Sequence, residues 1–464
     1  MAVAVTDPFG KLPSELRRQV LLLTDCKSSI LRMIQASPIM LQEYLAQKKH
    51  IIRQVMAFEF DEQMIQDAMA IILLPIPRST HWNKLSKRQS WPICEHILAW
   101  SESQLPDPIK EGNDDLLGQL NKLHSQLLVL VEDYITKATA SFPPWEYLCL
   151  PHVQQPLTEG HLMFRGVKVT PRFNSANLTS LERKRFIKAF LLYELFCKIS
   201  NASHASNMVR QYREVSYAEY EALGCVHNYV RSLYGAMFAQ CNDGWLPSTS
   251  SEASLGSGLL FPDTYYFDAK SYSPNFEVCS LGITPRYDLG DSFSTTGLDY
   301  LTIFLGYNLA DEDEREALMA QFEYIWGFES PIRSYKWDTT FTLLLTTKPT
   351  CKNGCESFMY KQLSLKRDEK LRHKIFQQRA WVFFDVNRFY PQESPERPNF
   401  PSESFLMEED NKDYSKRPWS CNPKEERRFR RSQRWHDRRD RAGDSNVNAP
   451  NGGYFYYIRR YDEI

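Results

Sequence analysis

Apolar side chains recur at helical spacing close to the start of the chain. One set follows an i, i+4, i+8, i+11 pattern, which places its members on a single helix face: Leu12, Leu16, Val20 and Leu23. Pro13 suits the first turn of such a helix, where a missing N–H costs no hydrogen bond, and Glu15 complements the positive end of the helix dipole. The pattern therefore predicts an amphipathic helix that begins near Pro13.

Two further apolar sets follow this first helix. The first set consists of Ile30, Leu31 and Ile34. Pro38 is expected to end that segment, because proline inside a helix removes a backbone hydrogen bond. A second stripe runs from Leu41 to Val55 at helical spacing. Together the three sets predict a compact cluster of short helices over residues 7–57.

The middle of the chain carries the same signal over longer stretches. A stripe of period near 3.6 runs from Leu116 to Tyr134 and predicts a long helix. Thr179 with Glu182 and Ser216 with Glu219 have the spacing of a capping box, and each pair opens an apolar segment. We therefore expect a larger helical body, so that the predicted fold class is mainly α, with a short N-terminal three-helix module packed on or linked to that body.

Strands are predicted at two places only. Residues 265–267 and 339–347 are rich in β-favouring side chains and are interpreted as short strands. Runs of this length also fit a short buried helix, and periodicity does not separate the two. The predicted β content is therefore minor.

Composition describes an ordinary globular chain. Its 464 residues are 42% hydrophobic and 24% charged, and 56 Lys and Arg stand against 57 Asp and Glu, which argues against a wholesale nucleic-acid or anionic-membrane binder. The strongest apolar run, Ala68–Ile76, is too short to span a bilayer, and no secretory leader precedes Asp7. Ten irregularly spaced cysteines fit reduced thiols better than a disulfide framework. We expect an intracellular protein, cytoplasmic or nuclear, with no membrane partner.

The composition changes beyond residue 390, where the helical body over residues 58–390 is predicted to end. Residues 391–452 are predicted to be a disordered mixed-charge linker, which includes a basic stretch from Lys424 to Arg441. That stretch has nine Lys or Arg against four Asp or Glu, with aromatic residues interleaved. It fits a solvated tail best, with a nuclear import signal or single-strand nucleic-acid binding as alternatives. Residues 453–464 form an aromatic C-terminal segment.

Candidate chemistry is sparse in this sequence. Cys351 and Cys355 could be half of a zinc site, but His373 alone does not complete four ligands. Gly256 and Gly258 lack the third glycine of a dinucleotide fingerprint, and His227 lies in an apolar helical stripe that is typical of a core histidine. We therefore predict no catalytic residue, no cofactor and no metal ligand, and a protein that is not an enzyme.

One N-terminal stretch resembles a known family. The residues that carry the resemblance are Phe9-Gly10-Lys11-Leu12-Pro13-Ser14-Glu15-Leu16, then Val20, Leu23, Asp25, Ile30, Leu31 and Ile34, and then Ala36-Ser37-Pro38, Tyr44-Leu45 and Ile51-Ile52. Residues 9–55 are similar to an F-box, in particular to the F-box-like domains of uncharacterised fungal proteins. The segment from Arg379 to Asp385 looks like one that often closes such fungal domains.

The resemblance implies an adaptor. F-box domains are three-helix modules that bind a Skp-type linker protein, which joins a cullin–RING ubiquitin ligase, and the rest of the chain would then recruit a protein target that the sequence does not identify. The expected linker-binding residues are Leu12, Pro13, Leu16, Val20, Ile30, Leu31 and Ile34. A short helical cluster has too little interior to bury all of these side chains, so some are expected to face a partner.

Two other functions stay open at this point. One is a helical scaffold that kept the fold and lost its coupling to a ligase, since the general F-box usually carries a tryptophan near the end of its third helix, and the corresponding region here is Ser37-Pro38-Ile39-Met40. The other is a nucleic-acid-associated protein that acts through its basic stretch, although nucleic acid is not the partner we expect. A purely structural amphipathic helix is the alternative for the module itself.

Overall fold

The computed structural model describes most of the chain up to residue 385. The described residues are 7–24, 26–75, 87–140, 143–153, 160–201, 214–242, 266–274, 288–328, 346–347, 357 and 371–385. Within these ranges 73% of the residues are helical, which confirms the predicted mainly α-helical class. The zinc candidates Cys351 and Cys355, the glycine pair at 256 and 258, the mixed-charge linker at 391–452 and the aromatic segment at 453–464 lie outside the described residues.

Helices form most of the described chain. Their bounds are α1 Ser14–Leu23, α2 Lys27–Ala36, α3 Pro38–Glu59, α4 Glu62–Ile72, α5 Lys87–Ser101, α6 Asp114–Thr139, α7 Pro143–Leu148, α8 Ser180–Asn201, α9 Tyr217–Cys241, α10 Leu289–Ser294, α11 Leu298–Phe304, α12 Glu312–Phe328 and α13 Leu371–Gln378. Short 3-10 turns are present at Pro8–Lys11, Ser175–Asn177, Ala269–Tyr272 and Trp381–Phe383. No described helix is both long enough and apolar enough to cross a membrane.

Two small sheets accompany the helices. Strands β1 Leu150–Pro151, β2 His161–Phe164 and β3 Val167–Pro171 form an antiparallel sheet in that order, and β4 Glu214–Val215 pairs in parallel with β5 Thr346–Thr347. Arg165 and Gly166 connect β2 to β3 with positive φ angles of 46° and 80°, as a two-residue hairpin turn requires.

The two strand predictions have different outcomes. β5 lies inside the predicted strand at 339–347, of which the remainder is outside the described residues. The prediction at 265–267 is wrong for Tyr266 and Phe267, which have no regular secondary structure. Phe267 instead exchanges two backbone hydrogen bonds with the side-chain amide of Gln378, at 2.8 and 2.9 Å. A side chain therefore satisfies the backbone groups that a neighbouring strand would otherwise bind.

Local capping chemistry fixes the starts of the two central helices. The Glu219 N–H donates to the Ser216 hydroxyl at 3.1 Å, and the Ser216 N–H donates back to the Glu219 carboxylate at 2.8 Å. Thr179 and Glu182 make the same reciprocal pair at 3.2 and 2.9 Å. Both predicted capping boxes are thus confirmed.

Helix α9 lies in the centre of the body. It packs against α7, α8, α10, α12 and α13, and nearly its whole length is buried. Helix α8 is apolar on several sides and is likewise buried along most of its length, as its sequence predicts. The buried side chains of α1, α2 and α3 belong to the same continuous core as those of α8 and α9.

A segment far along the sequence completes this core. We call Leu371–Asp385 the closing segment, and it includes the stretch that resembles the end of fungal F-box-like domains. Its Arg379 is fully buried and donates to the carbonyl of Ala138 in the last turn of α6 at 3.0 Å. Trp381 is also buried and donates its indole N–H to Glu221 of α9 at 3.3 Å. The closing segment therefore joins α6 to α9 through side chains that sequence spacing alone does not pair.

Candidate partner-binding surface

The carboxylate of Asp7 fixes the segment that precedes α1 by hydrogen bonds. Asp7 accepts the backbone N–H of Phe9 at 2.9 Å and the hydroxyl hydrogen of Ser37 at 2.6 Å. The hydrogen bond from Ser37 lowers the pKa of Asp7. Ser37 also accepts the N–H of Met40 at 3.1 Å and so caps α3, whose first residue is Pro38. Helix α2 ends before Pro38, as predicted, and Pro38 is the first residue of α3. Asp7 connects the start of α3 to the start of the module.

Helix α1 lies across α3 with its first turn fixed by polar contacts. The Ser14 hydroxyl donates to Glu43 at 3.0 Å, and Arg17 lies 3.7 Å from the same carboxylate. Arg17 also donates to the carbonyl of Leu12 at 2.7 Å. Leu21 is the buried residue of α1. These contacts determine which side of α1 faces the body and which side faces solvent.

The solvent side of α1 carries large apolar side chains. Leu16 is 46% exposed and Leu23 is 82% exposed, and because they are seven residues apart they share a helix face. On α3, one turn separates Leu41, which is 39% exposed, from Leu45, which is 60% exposed. We call Leu16, Leu23, Leu41 and Leu45 the outer leucines. They are exposed on two helices that pack against each other, and exposed large apolar side chains can mark a protein interaction site.

The residues predicted to bind a linker divide into three groups. Pro13 and Leu16 are exposed, and Leu12, Val20, Leu31 and Ile34 are half-buried. Val20 and Ile34 also contact the core from their partly buried positions. Ile30 requires a correction: it is 3% exposed and belongs to the core, because the side of α2 that carries it faces the body. Ile30 therefore packs in the core and is not part of the exposed surface.

Three of the outer leucines were not among the predicted binding residues. Leu23 is on the predicted stripe of α1 and is exposed, whereas its neighbour Leu22 packs against the core. Leu41 and Leu45 belong to the stripe from Leu41 to Val55, whose later members Ile51 and Val55 are buried. Helix α3 contains a non-helical residue at Gln47, so its two halves do not share one straight face. The i, i+4 spacing of Leu41 and Leu45 was the only available signal.

Helix α2 fixes the module to the body through a buried polar contact. Lys27 donates to Asn121 of α6 at 2.7 Å and also to Ser125. Burial, with a smaller contribution from the neighbouring cation Lys48, lowers the pKa of Lys27 to about 8. Ser28 lies 2.9 Å from the Ser175 hydroxyl, between α2 and the turn that precedes α8.

Glu132 of α6 is the common acceptor beneath this contact. It accepts the Ser175 hydroxyl hydrogen at 2.7 Å and the Ser175 N–H at 3.1 Å. Arg172 lies 3.6 Å from its second oxygen. Burial raises the pKa of Glu132, and the hydrogen bonds from Ser175 oppose that effect. Glu132 therefore connects α6 both to Arg172, which follows β3, and to Ser175. Ser175 in turn contacts Ser28 of α2.

The end of α3 is joined to α8 by a buried ion pair. Glu59 and Arg183 are 3.0 Å apart, and each side chain is almost completely buried. Arg183 also donates to the carbonyl of Leu178 at 2.9 Å. The domain boundary predicted at residue 57 falls in the last turn of α3, which continues to Glu59. The module thus presents the outer leucines in one orientation relative to the body.

Polar clusters elsewhere in the described chain hold elements together. His227 of α9 lies 3.1 Å from Asp291 of α10, as a paired core histidine would. Arg231, one turn further, is held between Asp288 and Asp268. Among the described residues, no group of three or more His, Cys, Asp or Glu side chains has the arrangement of a metal site.

Comparison of the chain with family models, curated proteins and solved structures gives no match. The function is therefore inferred from the outer leucines, from the way the module is mounted on the body, and from the resemblance of residues 9–55 to an F-box.

Proposed function

We propose that this chain is a non-catalytic substrate receptor of a cullin–RING ubiquitin ligase. Its N-terminal module binds a Skp-type linker protein, and the helical body recruits a protein target. The observation that carries the proposal is the exposure of Leu16 and Leu23 on α1. The same helix follows the Leu12-Pro13 pair that carries the resemblance to an F-box.

The energetics of this surface fit a helix-mediated interface. Moving a leucine side chain from water into an apolar contact contributes roughly 1.5–3 kcal/mol. A small number of well-packed side chains supplies most of the binding energy in a typical protein interface. Leu16 and Leu23 are exposed in the free chain, so burying them requires no rearrangement of the core.

The way in which the module is attached to the body suits a substrate receptor. A ligase receptor has to hold its target at a fixed distance from the linker. The contacts of Lys27, Ser28 and Glu59 with the body supply that fixed geometry. A module joined to the body only by a flexible peptide would not fix that distance.

A pull-down with the host's Skp-type linker tests the proposal. The full-length wild type is compared with a Leu12→Ala, Pro13→Ala, Leu16→Ala triple variant, and a Leu98→Ala variant serves as a control at an exposed leucine of α5. We expect the wild type and the control to bind and the triple variant to lose binding, with unchanged circular dichroism. Absence of binding by the folded wild type would exclude the ligase role.

A scaffold that has lost its ligase coupling is the second candidate. Its supporting observation is the use of Ser37 and Pro38 to cap and begin α3 in the region where the general F-box usually carries a tryptophan. A folded wild type that binds its target and no linker would favour this candidate.

A further inference from the structure

Helix α5 has one side that is buried against the body. Its buried apolar side chains are spaced i, i+4 and i+7 and therefore share that side: Ile93, Ile97 and Trp100. The Trp100 indole N–H donates to the buried carboxylate of Asp67 on α4 at 2.9 Å. Nε2 of His96 lies 3.0 Å from the carbonyl oxygen of Ala70, also on α4. These contacts fix which side of α5 faces solvent.

The opposite side of α5 carries apolar and acidic side chains in alternation. Trp91, Glu95, Leu98 and Glu102 are spaced i, i+4, i+7 and i+11, and all four are exposed, Trp91 by 66% and Leu98 by 38%. Glu102 follows the last residue of α5, and its N–H still donates to the carbonyl of Leu98 at 3.0 Å, so the helical turn continues to it. We call these four side chains the α5 stripe. It spans about 16 Å along the helix axis.

The two carboxylates of the α5 stripe keep their negative charge uncompensated. Glu95 accepts the Trp91 indole N–H at 2.6 Å, but that donor is neutral. Among the described residues, neither Glu95 nor Glu102 forms an ion pair. Burial lowers the pKa of His96, so its imidazole adds no positive charge at neutral pH. The stripe therefore offers two charges that a cationic partner would meet without breaking an existing pair.

The loop after α5 does not neutralise these charges. From Trp91 to Asn113 the chain has four carboxylates, the other two being at Asp107 and Glu111, and a single lysine, Lys110. Lys110 lies 2.6 Å from Glu62 of α4 and 3.7 Å from Asp107. The one lysine of this stretch is thus already paired with other carboxylates, and the surface around the stripe is acidic.

We infer that the α5 stripe binds a basic amphipathic helix of a partner protein. The apolar face of that helix would pack on Trp91 and Leu98, and its lysine or arginine side chains would lie beside Glu95 and Glu102. A helix fits because side chains in i, i+4, i+7 rows pack against the same rows of a second helix. An aromatic anchor within a polar rim is common at interfaces, and the unpaired carboxylates favour a cationic partner over an acidic one.

This inference goes beyond the proposed function. It gives the body a binding face of its own, and it holds whether or not the N-terminal module binds a linker. If the receptor role is correct, the α5 stripe is a place where a target would be held.

Fluorescence anisotropy with a synthetic peptide tests the inference. The probe is a labelled helical peptide of about 18 residues, with leucines on one face and lysines on both sides of that face, titrated with the full-length chain. Two matched peptides replace the lysines with glutamates or the leucines with serines. The protein variants are Trp91→Ala and Leu98→Ala. Tyr324→Ala is the control, at an aromatic residue that is 55% exposed on α12.

The apolar part of the stripe should dominate the affinity. Trp91→Ala should weaken binding of the probe by about 10-fold and Leu98→Ala by about 3-fold, while Tyr324→Ala should bind within about 2-fold of wild type. Circular dichroism should show that all three variants are folded, since the changes are at exposed positions. No binding of the probe at about 100 µM chain, equal binding by wild type and Trp91→Ala, or equal binding of the serine peptide would overturn the inference.

A charge reversal tests the choice of a basic partner. The Glu95→Lys, Glu102→Lys variant should prefer the glutamate peptide to the lysine peptide. The control is Glu316→Lys, Glu323→Lys, at two exposed glutamates of α12 that have the same seven-residue spacing and the same change in net charge. This control should keep the preference for the lysine peptide, and added salt should weaken that binding. An unchanged preference of the stripe variant, or the same reversal in the control, would contradict the inference.

The linker pull-down separates this inference from the proposed function. Leu98→Ala is expected to bind the Skp-type linker as the wild type does, because the α5 stripe and the outer leucines lie on different elements. Weaker peptide binding by Leu98→Ala with retained linker binding would support two independent surfaces. A wild type that binds the peptide and no linker would support the α5 stripe and contradict the ligase role.

Discussion

His124 of α6 is a fully buried imidazole at the contact between the module and the body. Neither ring nitrogen has a hydrogen-bond partner among the described residues, and its ring lies edge-on to Phe60 at a centroid distance of 5.5 Å. Burial, with a smaller contribution from the nearby cations Lys27 and Arg183, lowers the pKa of His124 to about 3. The native state therefore holds this side chain neutral, while the unfolded chain takes up a proton in mild acid.

This difference predicts acid sensitivity with a definite sign. Between pH about 6.5 and about 3 the unfolded state binds one more proton than the native state at His124, so stability falls as the pH falls. The contribution approaches about 1.4 kcal/mol per pH unit, and it is absent above pH 6.5. Replacing His124 with leucine should remove it, and at pH 7 the variant should be as stable as the wild type or more stable, because no unpaired polar group stays buried.

Urea unfolding at several pH values checks this prediction. The free energy of unfolding of the wild type should fall more steeply with acid than that of His124→Leu. A His50→Leu variant, at an exposed histidine of α3, is the control and should follow the wild type. Parallel curves for wild type and His124→Leu would contradict the account of this residue.

At the scale of elements, the joint between α3 and α8 depends on the Glu59–Arg183 pair. Both side chains are buried, so removing one partner leaves the other charge in the interior without its ion-pair partner. Glu59→Leu or Arg183→Met alone should cost roughly 3–5 kcal/mol of unfolding free energy. The double replacement removes both charges and should cost much less than the sum of the two single changes.

A double-mutant cycle by urea unfolding measures this coupling. The matched control is the pair Glu62 and Lys110, which are 2.6 Å apart and both largely exposed. Removing either of those residues should change stability by less than about 1 kcal/mol, because exposed ion pairs are weak. Additive effects at Glu59 and Arg183 would show that the pair does not hold the joint.

Elements whose signal is local were predictable from the sequence. The capping boxes at Thr179 and Ser216 and the helix break at Pro38 depend on neighbours within a few residues, and the structure confirms all three. The sheet of β1, β2 and β3 was missed because its strands are two to five residues long, too short for an alternating pattern to stand out. The hydrogen bonds between Gln378 and Phe267 were not predictable either, because the two residues are 111 positions apart in the sequence.

The candidate site was predictable only in part, for a related reason. Periodicity identifies the apolar face of a helix but does not say whether that face meets the chain's own core or a partner. Ile30 was therefore assigned to the interface and lies in the core, while Leu41 and Leu45 were part of an apolar stripe that was not assigned to the interface, and they are exposed.

At the scale of the whole molecule, the outer leucines are held on a core that is continuous with the core of the body. They lie on α1 and α3. The core includes buried residues of the first three helices, of α8 and α9, and of the closing segment. A receptor built in this way would hold linker and target at a fixed separation.

The most direct test of the receptor role is an isothermal titration of the full-length chain with the Skp-type linker. Wild type is compared with a Leu16→Asp, Leu23→Asp double variant and with Ile303→Asp, a control at a residue that is 61% exposed on α11. All three proteins should stay folded, since the changes are at exposed positions. We expect the double variant to bind about 100-fold more weakly or not at all, and the control to bind within about 3-fold of wild type. Equal affinity of the double variant and wild type, or no binding by wild type, would contradict the proposed role.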